Sequence, residues 1–178
     1  MRTFIAIDLP GNVKDELVKV QEQFKSIVRA KFVEKENFHL TLKFLGELSD
    51  YQVNQVKEAL RKIKFEKFQA TLGSCGFFSP SFIRVLWVAL EPRDKFFELH
   101  KKIEEALSSL NLKKENGKFE SHVTLARIKS IEKEKFLRKI KEVEVKPLVF
   151  DVKAFSLKKS TLTEKGPIYE DILKFGLD

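Results

Sequence analysis

One tetrapeptide occurs twice in the chain: His39-Leu40-Thr41-Leu42 returns as His122-Val123-Thr124-Leu125. Side chains along a strand alternate between faces, so His39 and Thr41 point one way while Leu40 and Leu42 point the other. His122 and Thr124 stand in the same relation to Val123 and Leu125. Each copy is a polar pair on an apolar backing. A single copy reads most simply as an ordinary cross-strand pair. Two copies in matching contexts, each between helices, predict an internally duplicated chain whose halves each bring one imidazole and one hydroxyl to a pseudo-two-fold site.

The pattern around these motifs alternates between strand and helix. Arg2 to Leu9 is rich in β-branched and aromatic residues and stops at Pro10-Gly11, a strand followed by a breaker. Val13, Leu17, Val20, Phe24 and Val28 recur every three or four positions and predict a helix from Val13 to Ala30. A half-buried strand is expected from Phe38 to Leu45, then a helix capped by Ser49 or Asp50 and running through Ile63. Phe68 to Phe78 and Arg84 to Leu90 read as a hairpin about Ser79 to Ser81. A helix follows Glu91-Pro92 to about Leu110, then a polar loop from Asn111 to Lys118 and a strand from Ser121 to Ile128. A charged helix from Ile131 to Val143 precedes two further strands, Leu148 to Leu162 and Ile168 to Phe175, around the turn at Glu164 to Pro167. Helices interleaved with hairpins rather than regular βαβ units predict an α+β fold with mostly antiparallel sheets and outer helices. No linker divides the chain, so residues 1–178 are read as one domain.

Charge and cysteine content narrow the partners. A net charge of +8 over 178 residues favours polyanions such as nucleic acid, although solvated lysine-rich helix faces give the same total. The single Cys75 rules out an intramolecular disulfide and a cysteine-built zinc site, which suits a reducing cytoplasm. With no signal-like leader and no apolar run long enough for a bilayer, the chain is expected to be soluble, intracellular and independent of membranes.

Paired histidines suit phosphodiester chemistry. One imidazole must accept a proton from the attacking water or hydroxyl while the other gives one to the leaving oxygen across phosphorus. With an unperturbed pKa of about 6.5, histidine offers both protonation states near neutrality. Thr41 and Thr124 would donate hydrogen bonds to the non-bridging oxygens, where charge builds in the transition state. A zinc site at His39 and His122 would need carboxylates to complete it, and no ligand spacing supports one.

These residues resemble the 2H phosphoesterase superfamily, and within it the RNA 2′,3′-cyclic phosphodiesterases once called 2′-5′ RNA ligases. RTFIAIDLP, HLTLKFLG, RVLWVALEP, HVTLAR and GPIYEDILKFGL resemble that family in order along essentially the whole chain. The resemblance implies two interleaved, pseudo-symmetric α+β lobes around a central groove, each giving one H-x-T-x motif. It further implies opening of a cyclic phosphate to a 2′-phosphomonoester, with no metal or other cofactor. By the same likeness His39 protonates the leaving 3′ oxygen and His122 activates water, although the residues alone leave the two roles interchangeable. The implied partners are RNA ends carrying cyclic phosphate, tRNA fragments among them, met by a monomer. Joining of RNA ends through a 2′-5′ linkage would be the accompanying activity.

Other residues carry open alternatives. Lys43 shares the parity of His39 and either neutralises phosphate in the groove or is a solvated strand lysine. Arg127 has the parity of Val123 and Leu125, so it reaches phosphate only if the strand bends, yet its place in HVTLAR makes it a candidate ligand. Arg84 is a third candidate. Phe77, Phe78, Phe82 and Tyr169 lie near turns where a ring could stack on a terminal base, against core packing as the alternative. His100, on a helix, is expected to be structural or solvated and dispensable. The competing functions are a phosphodiesterase for small cyclic nucleotides and a non-catalytic nucleotide- or RNA-binding module, which would have no need of a paired acid and base.

Overall fold

The elements follow the changes of period along the chain. In order they are β1 (Arg2–Asp8), α1 (Gly11–Glu22), β2 (Val28–Phe32), β3 (His39–Glu47), α2 (Asp50–Arg61), β4 (Phe68–Phe77), β5 (Val85–Glu91), α3 (Arg93–Leu107), β6 (His122–Ile131), α4 (Lys133–Glu142), β7 (Val149–Val152), β8 (Ala154–Thr163) and β9 (Gly166–Gly176). The structure is a computed structural model and describes all of Met1–Asp178. Two antiparallel sheets result, one ordered β3-β1-β8-β9 and the other β2-β6-β5-β4-β7. The α+β class with mostly antiparallel sheets agrees with the sequence reading.

The helices begin where local chemistry starts them. Ser49 caps α2 in a capping box, its hydroxyl accepting from the Gln52 N–H while the Gln52 side chain accepts from the Ser49 N–H, so two orphan donors at the helix start are satisfied. Val53, Val56 and Leu60 form the buried stripe of that helix.

Two expectations need correction. The helix predicted from Val13 to Ala30 ends at Glu22, and Val28–Phe32 is a strand paired with β6. Val28 satisfies both periods: it continues the helical spacing from Phe24, and it opens an alternation in which Val28, Ala30 and Phe32 are more buried than Arg29 and Lys31. Pairing with β6 decides for the strand, because tertiary contacts outweigh a local helical spacing. The strand expected from Leu148 to Leu162 is instead two strands parted at Lys153. β7 pairs with β4 in one sheet and β8 with β1 in the other, so the chain changes sheet there.

Neither half of the chain builds its own sheet. β2, from the first half, borders β6, while β8 and β9, from the end of the chain, complete the sheet begun by β1 and β3. The helices cross over too: α1 packs on β6 and α3 packs on β3. Each motif strand therefore leans on a helix from the other half. Phe136 of α4, fully buried, ties this side together by packing on Phe24 and Phe77, with ring centroids 5.8 and 5.7 Å away.

Candidate active site

Both motif strands carry a β-bulge at the same place. In β3, Thr41 lies opposite Ala6 and Lys43 opposite Ile5, which leaves Leu42 as the extra residue. In β6, Thr124 lies opposite Trp87 and Ala126 opposite Leu86, which leaves Leu125. A bulge breaks the alternation of faces. Hence Leu42 and Lys43 are both buried, as are Leu125 and Ala126. Beyond the bulge, Phe44 and Arg127 emerge on the face that carries His39 and His122.

This reverses two parity readings. Lys43 does not share the face of His39. It is 5% exposed and turned toward α3, with its Nζ 2.6 Å from Glu104 Oε1 and 3.9 Å from Glu115 Oε2. Paired with carboxylates on the far face of the strand, it is removed as a phosphate ligand. Arg127, which simple alternation puts on the core side, is exposed. Its charge disfavours a proton on His122 and reaches Tyr169, which belongs to the other sheet.

Each bulge is held from behind by a side chain on the crossed-over helix. Gln21 of α1, 4% exposed, donates from Nε2 to Leu125 O at 2.8 Å and to Val33 O at 2.9 Å. The mate of this contact is His100 of α3, whose Nδ1 donates to Leu42 O at 2.8 Å while its ring stacks on Phe119 with centroids 4.4 Å apart. His100 is therefore structural, in contact with the motif strand. The signal for Gln21 was present in the sequence, as a polar residue four positions after Leu17 on an otherwise apolar stripe.

The two histidines have matching supports. His39 Nδ1 lies 2.7 Å from Asn37 O, and His122 Nδ1 lies 2.8 Å from Glu120 O. A carbonyl only accepts, so in each ring Nδ1 carries the hydrogen and Nε2 is left as the working nitrogen of the neutral form. His39 Nε2 is 2.8 Å from Thr41 Oγ1, so the threonine hydroxyl donates to it. The His39 ring packs against Phe4 and Tyr169, at centroid distances of 5.1 and 5.2 Å. That of His122 packs edge-on to Phe78 at 5.2 Å and lies 6.1 Å from Trp87. Thr124 stands half-buried two residues along from His122.

Burial among these rings holds both imidazoles neutral. It lowers His39 from 6.5 to about 4, against the opposing hydrogen bond that Nδ1–H donates to Asn37 O; Lys158 and His122 lower it further, while Asp8 raises it. His122 is also lowered, first by burial and then by Arg127, against the pull of Glu120. That His122 acts on His39 at all reflects the packing of β3 on β6. Lys158, nearly buried on β8, bridges Asp8 at 2.9 Å and Asp171 at 2.6 Å, so its charge is fixed beside His39. His, Cys, Asp and Glu side chains form no group of three or more placed to hold a metal ion. No helix is long and apolar enough to cross a membrane.

The remaining candidates separate. Phe77 packs into the core on Phe136; Phe78 borders His122 and Tyr169 borders His39. Phe82 is exposed, and the Arg84 guanidinium lies over its ring at 4.1 Å. Trp87 beside His122 and Phe4 and Lys158 beside His39 leave no mark in the sequence, because apolar strand residues and a strand lysine carry no signal of their own.

Replacing Gln21 with Leu strips a buried donor from Val33 O and Leu125 O, and should cost about 1–3 kcal/mol, the usual penalty for a stranded buried polar group. Urea unfolding of the variant measures this; the loss should fall toward the low end of that range, because Leu125 O keeps the Val33 N–H at 2.9 Å, leaving Val33 O as the carbonyl stripped of its donor.

A sequence profile described as LigT like Phosphoesterase matches residues 7–87 and matches again over 88–169, so the duplication seen in the motifs spans both halves. The chain is 40% identical to the RNA 2′,3′-cyclic phosphodiesterase of Methanocaldococcus jannaschii over 177 residues, covering 97% of this chain and 98% of that protein. The enzyme of the same name from Archaeoglobus fulgidus is 30% identical over 178 residues, covering 98% and 99%. The crystal structure of E. coli LigT complexed with 3′-AMP superposes with a TM-score of 0.82 at 25% identity, covering 99% of this chain and 97% of that one. In sequence, in its doubled profile and in fold, the chain belongs to the LigT-like phosphoesterase family of the 2H superfamily.

Proposed function

We propose that this protein opens RNA-terminal 2′,3′-cyclic phosphates to 2′-phosphomonoesters, without a metal or other cofactor, using His39 and His122 as paired general acid and base. The observation that carries this reading is the matched pair of imidazoles. Each has Nδ1 bound to a backbone carbonyl and Nε2 as its working nitrogen, and each sits on a strand that packs on the other. A binding module has no use for that symmetry. The activity named for relatives at 30% and 40% identity over nearly the whole chain supports the same substrate.

The steps follow from the charges. The cyclic phosphodiester brings one negative charge between two imidazoles that are neutral in the free enzyme, and it raises the affinity of both for a proton. His39 takes up that proton. His122 Nε2 then removes a proton from water as the water oxygen bonds to phosphorus, and His39 Nε2–H gives its proton to the departing 3′ oxygen as the P–O3′ bond breaks. The products are a 2′-phosphomonoester and a 3′-hydroxyl. Thr41 and Thr124 donate to the non-bridging oxygens, with Thr41 turning from His39 Nε2 to do so, and the Arg127 guanidinium neutralises the charge that builds there. Lys43, tied to Glu104, takes no part. A 5′-hydroxyl in place of water gives a 2′-5′ linkage by the same step. The net charge of +8 supports RNA over a small cyclic nucleotide. We read the protein as a cytoplasmic monomer acting on RNA ends such as tRNA fragments.

An oligonucleotide ending in 2′,3′-cyclic phosphate, incubated with the protein in EDTA, should be converted to the 2′-monoester. His39→Ala or His122→Ala alone should slow this about 10²-fold or more, and the double variant should be little slower, because the two residues act in one step. A 3′-monoester product, restoration of lost activity by a divalent ion, or near-normal turnover by either single variant would each contradict the scheme.

The pH profiles should differ in a definite direction. kcat/KM reports the free enzyme and kcat the complex. Since burial lowers both histidines in the free state and bound phosphate raises them, the bell for kcat should lie at higher pH than the bell for kcat/KM. Each limb belongs to the coupled pair. Coincident bells would remove the proposed proton uptake on binding.

A further inference from the structure

Beside His122, at the turn between β4 and β5, lies a cavity of about 310 Å³ lined by Phe78, Ser79, Ser81, Phe82, Arg84 and Val85. The proton-transfer scheme leaves it unused. One wall is shared with the catalytic centre: the Phe78 ring lines the cavity and also stands edge-on to the His122 imidazole, with centroids 5.2 Å apart. Whatever occupies the cavity is separated from the proton-transferring ring by a single side chain.

Phe78 is a firm wall. Behind it lies Trp87, 5.2 Å away centroid to centroid and tilted by 35°. Trp87 in turn lies so close over Gly76 that a Cβ there would come within 2.4 Å of the indole. Glycine at 76 is what lets the indole settle, and the settled indole supports Phe78. The other aromatic wall is open. Phe82 is 62% exposed, and its ring carries the Arg84 guanidinium at 4.1 Å. A flat cation already lies on a flat ring here, the arrangement that also accepts the face of a nucleobase. No lining residue is acidic, so a phosphate-bearing ligand meets no repulsion, while Ser79 and Ser81 supply hydroxyls for hydrogen bonds to a polar ring edge. The volume sits at the low end of the range for small-ligand sites, about 300–1,000 Å³.

We propose that this cavity is a nucleobase subsite, in which the base joined through its ribose to the phosphate at His122 stacks on Phe82 and Arg84 and abuts Phe78. The assignment rests on the cyclic-phosphate reading for the position of the phosphate and adds to it a grip on the base. It follows that the protein distinguishes a nucleotide from a bare phosphate by contacts on the β4–β5 turn, away from the histidine-bearing strands.

The test uses the full chain and two probes, adenosine 3′-monophosphate and inorganic phosphate. Trp87, the sole tryptophan, packs on Phe78 and reports occupancy through its emission; calorimetry gives the affinities. Phe82→Ala should weaken nucleotide binding about tenfold, within the range seen when a stacking ring is removed, and leave phosphate affinity unchanged, while Phe82→Tyr should bind the nucleotide as wild type does. Unchanged nucleotide affinity in Phe82→Ala would overturn the subsite, and so would an equal loss of phosphate affinity. Failure of the wild type to open a cyclic phosphate would instead refute the catalytic reading, since the ratio of nucleotide to phosphate affinity is measured without turnover.

Discussion

Two hydrogen bonds to bulge carbonyls, Gln21 to Leu125 O and His100 to Leu42 O, are the contacts on which the site's geometry depends. An unbroken alternation would put Lys43 beside His39 and send Arg127 into the core. The bulges break it at the fourth residue of each motif, so a strand can show His and Thr to the groove, bury two residues in succession, and then show Phe44 or Arg127. A carbonyl at a bulge needs donors, and each accepts from a buried or partly buried side chain on a helix from the other half of the chain, Leu125 O taking the Val33 N–H at 2.9 Å as well. The crossing of helices between halves therefore joins the two motifs: neither bulge is fully satisfied by its own half.

Electrostatics gives the site its directionality. Both imidazoles are held neutral by burial among aromatic rings, yet their other neighbours differ. His39 faces the fixed cation Lys158, which Asp8 and Asp171 partly compensate, whereas His122 faces Arg127 and Glu120. Lys158 is anchored by carboxylates, while Arg127 is exposed and free to follow a phosphate. A near-symmetric backbone thus carries unequal surroundings, on which the proposed division into acid and base rests. On the proposed mechanism, rings that are neutral without substrate leave the anion itself to supply the pull for the proton it needs.

Much of this was legible in the sequence because period and repetition survive folding. The alternation around His39 and His122 identified the faces of both strands, and the doubled tetrapeptide announced the duplication. The parts that were not legible depend on pairing between distant segments. Val28 fits a helix and a strand equally by spacing, and only the presence of β6 beside it decides. Lys153 is an ordinary residue within a strand-like run, and only the existence of two sheets makes it a crossing point. Lys43 leaves the face its parity gives it, and Arg127 meets the condition that its strand bends, for one reason: a bulge shifts the register by one residue and leaves no mark in composition. Arg84 and Phe82 could be named as candidates, but their stacking over a cavity arises from the turn that brings them together.

The central claim, that two half-buried neutral imidazoles share one phosphate between the lobes, is tested most directly by NMR titration of the His39 and His122 side chains with and without an adenosine monophosphate. The expected result is that both rings of the free protein carry their hydrogen on Nδ1 and titrate below the ordinary histidine range, and that the nucleotide raises both. A ring that titrates at the ordinary value of about 6.5 and does not respond to the nucleotide would contradict it.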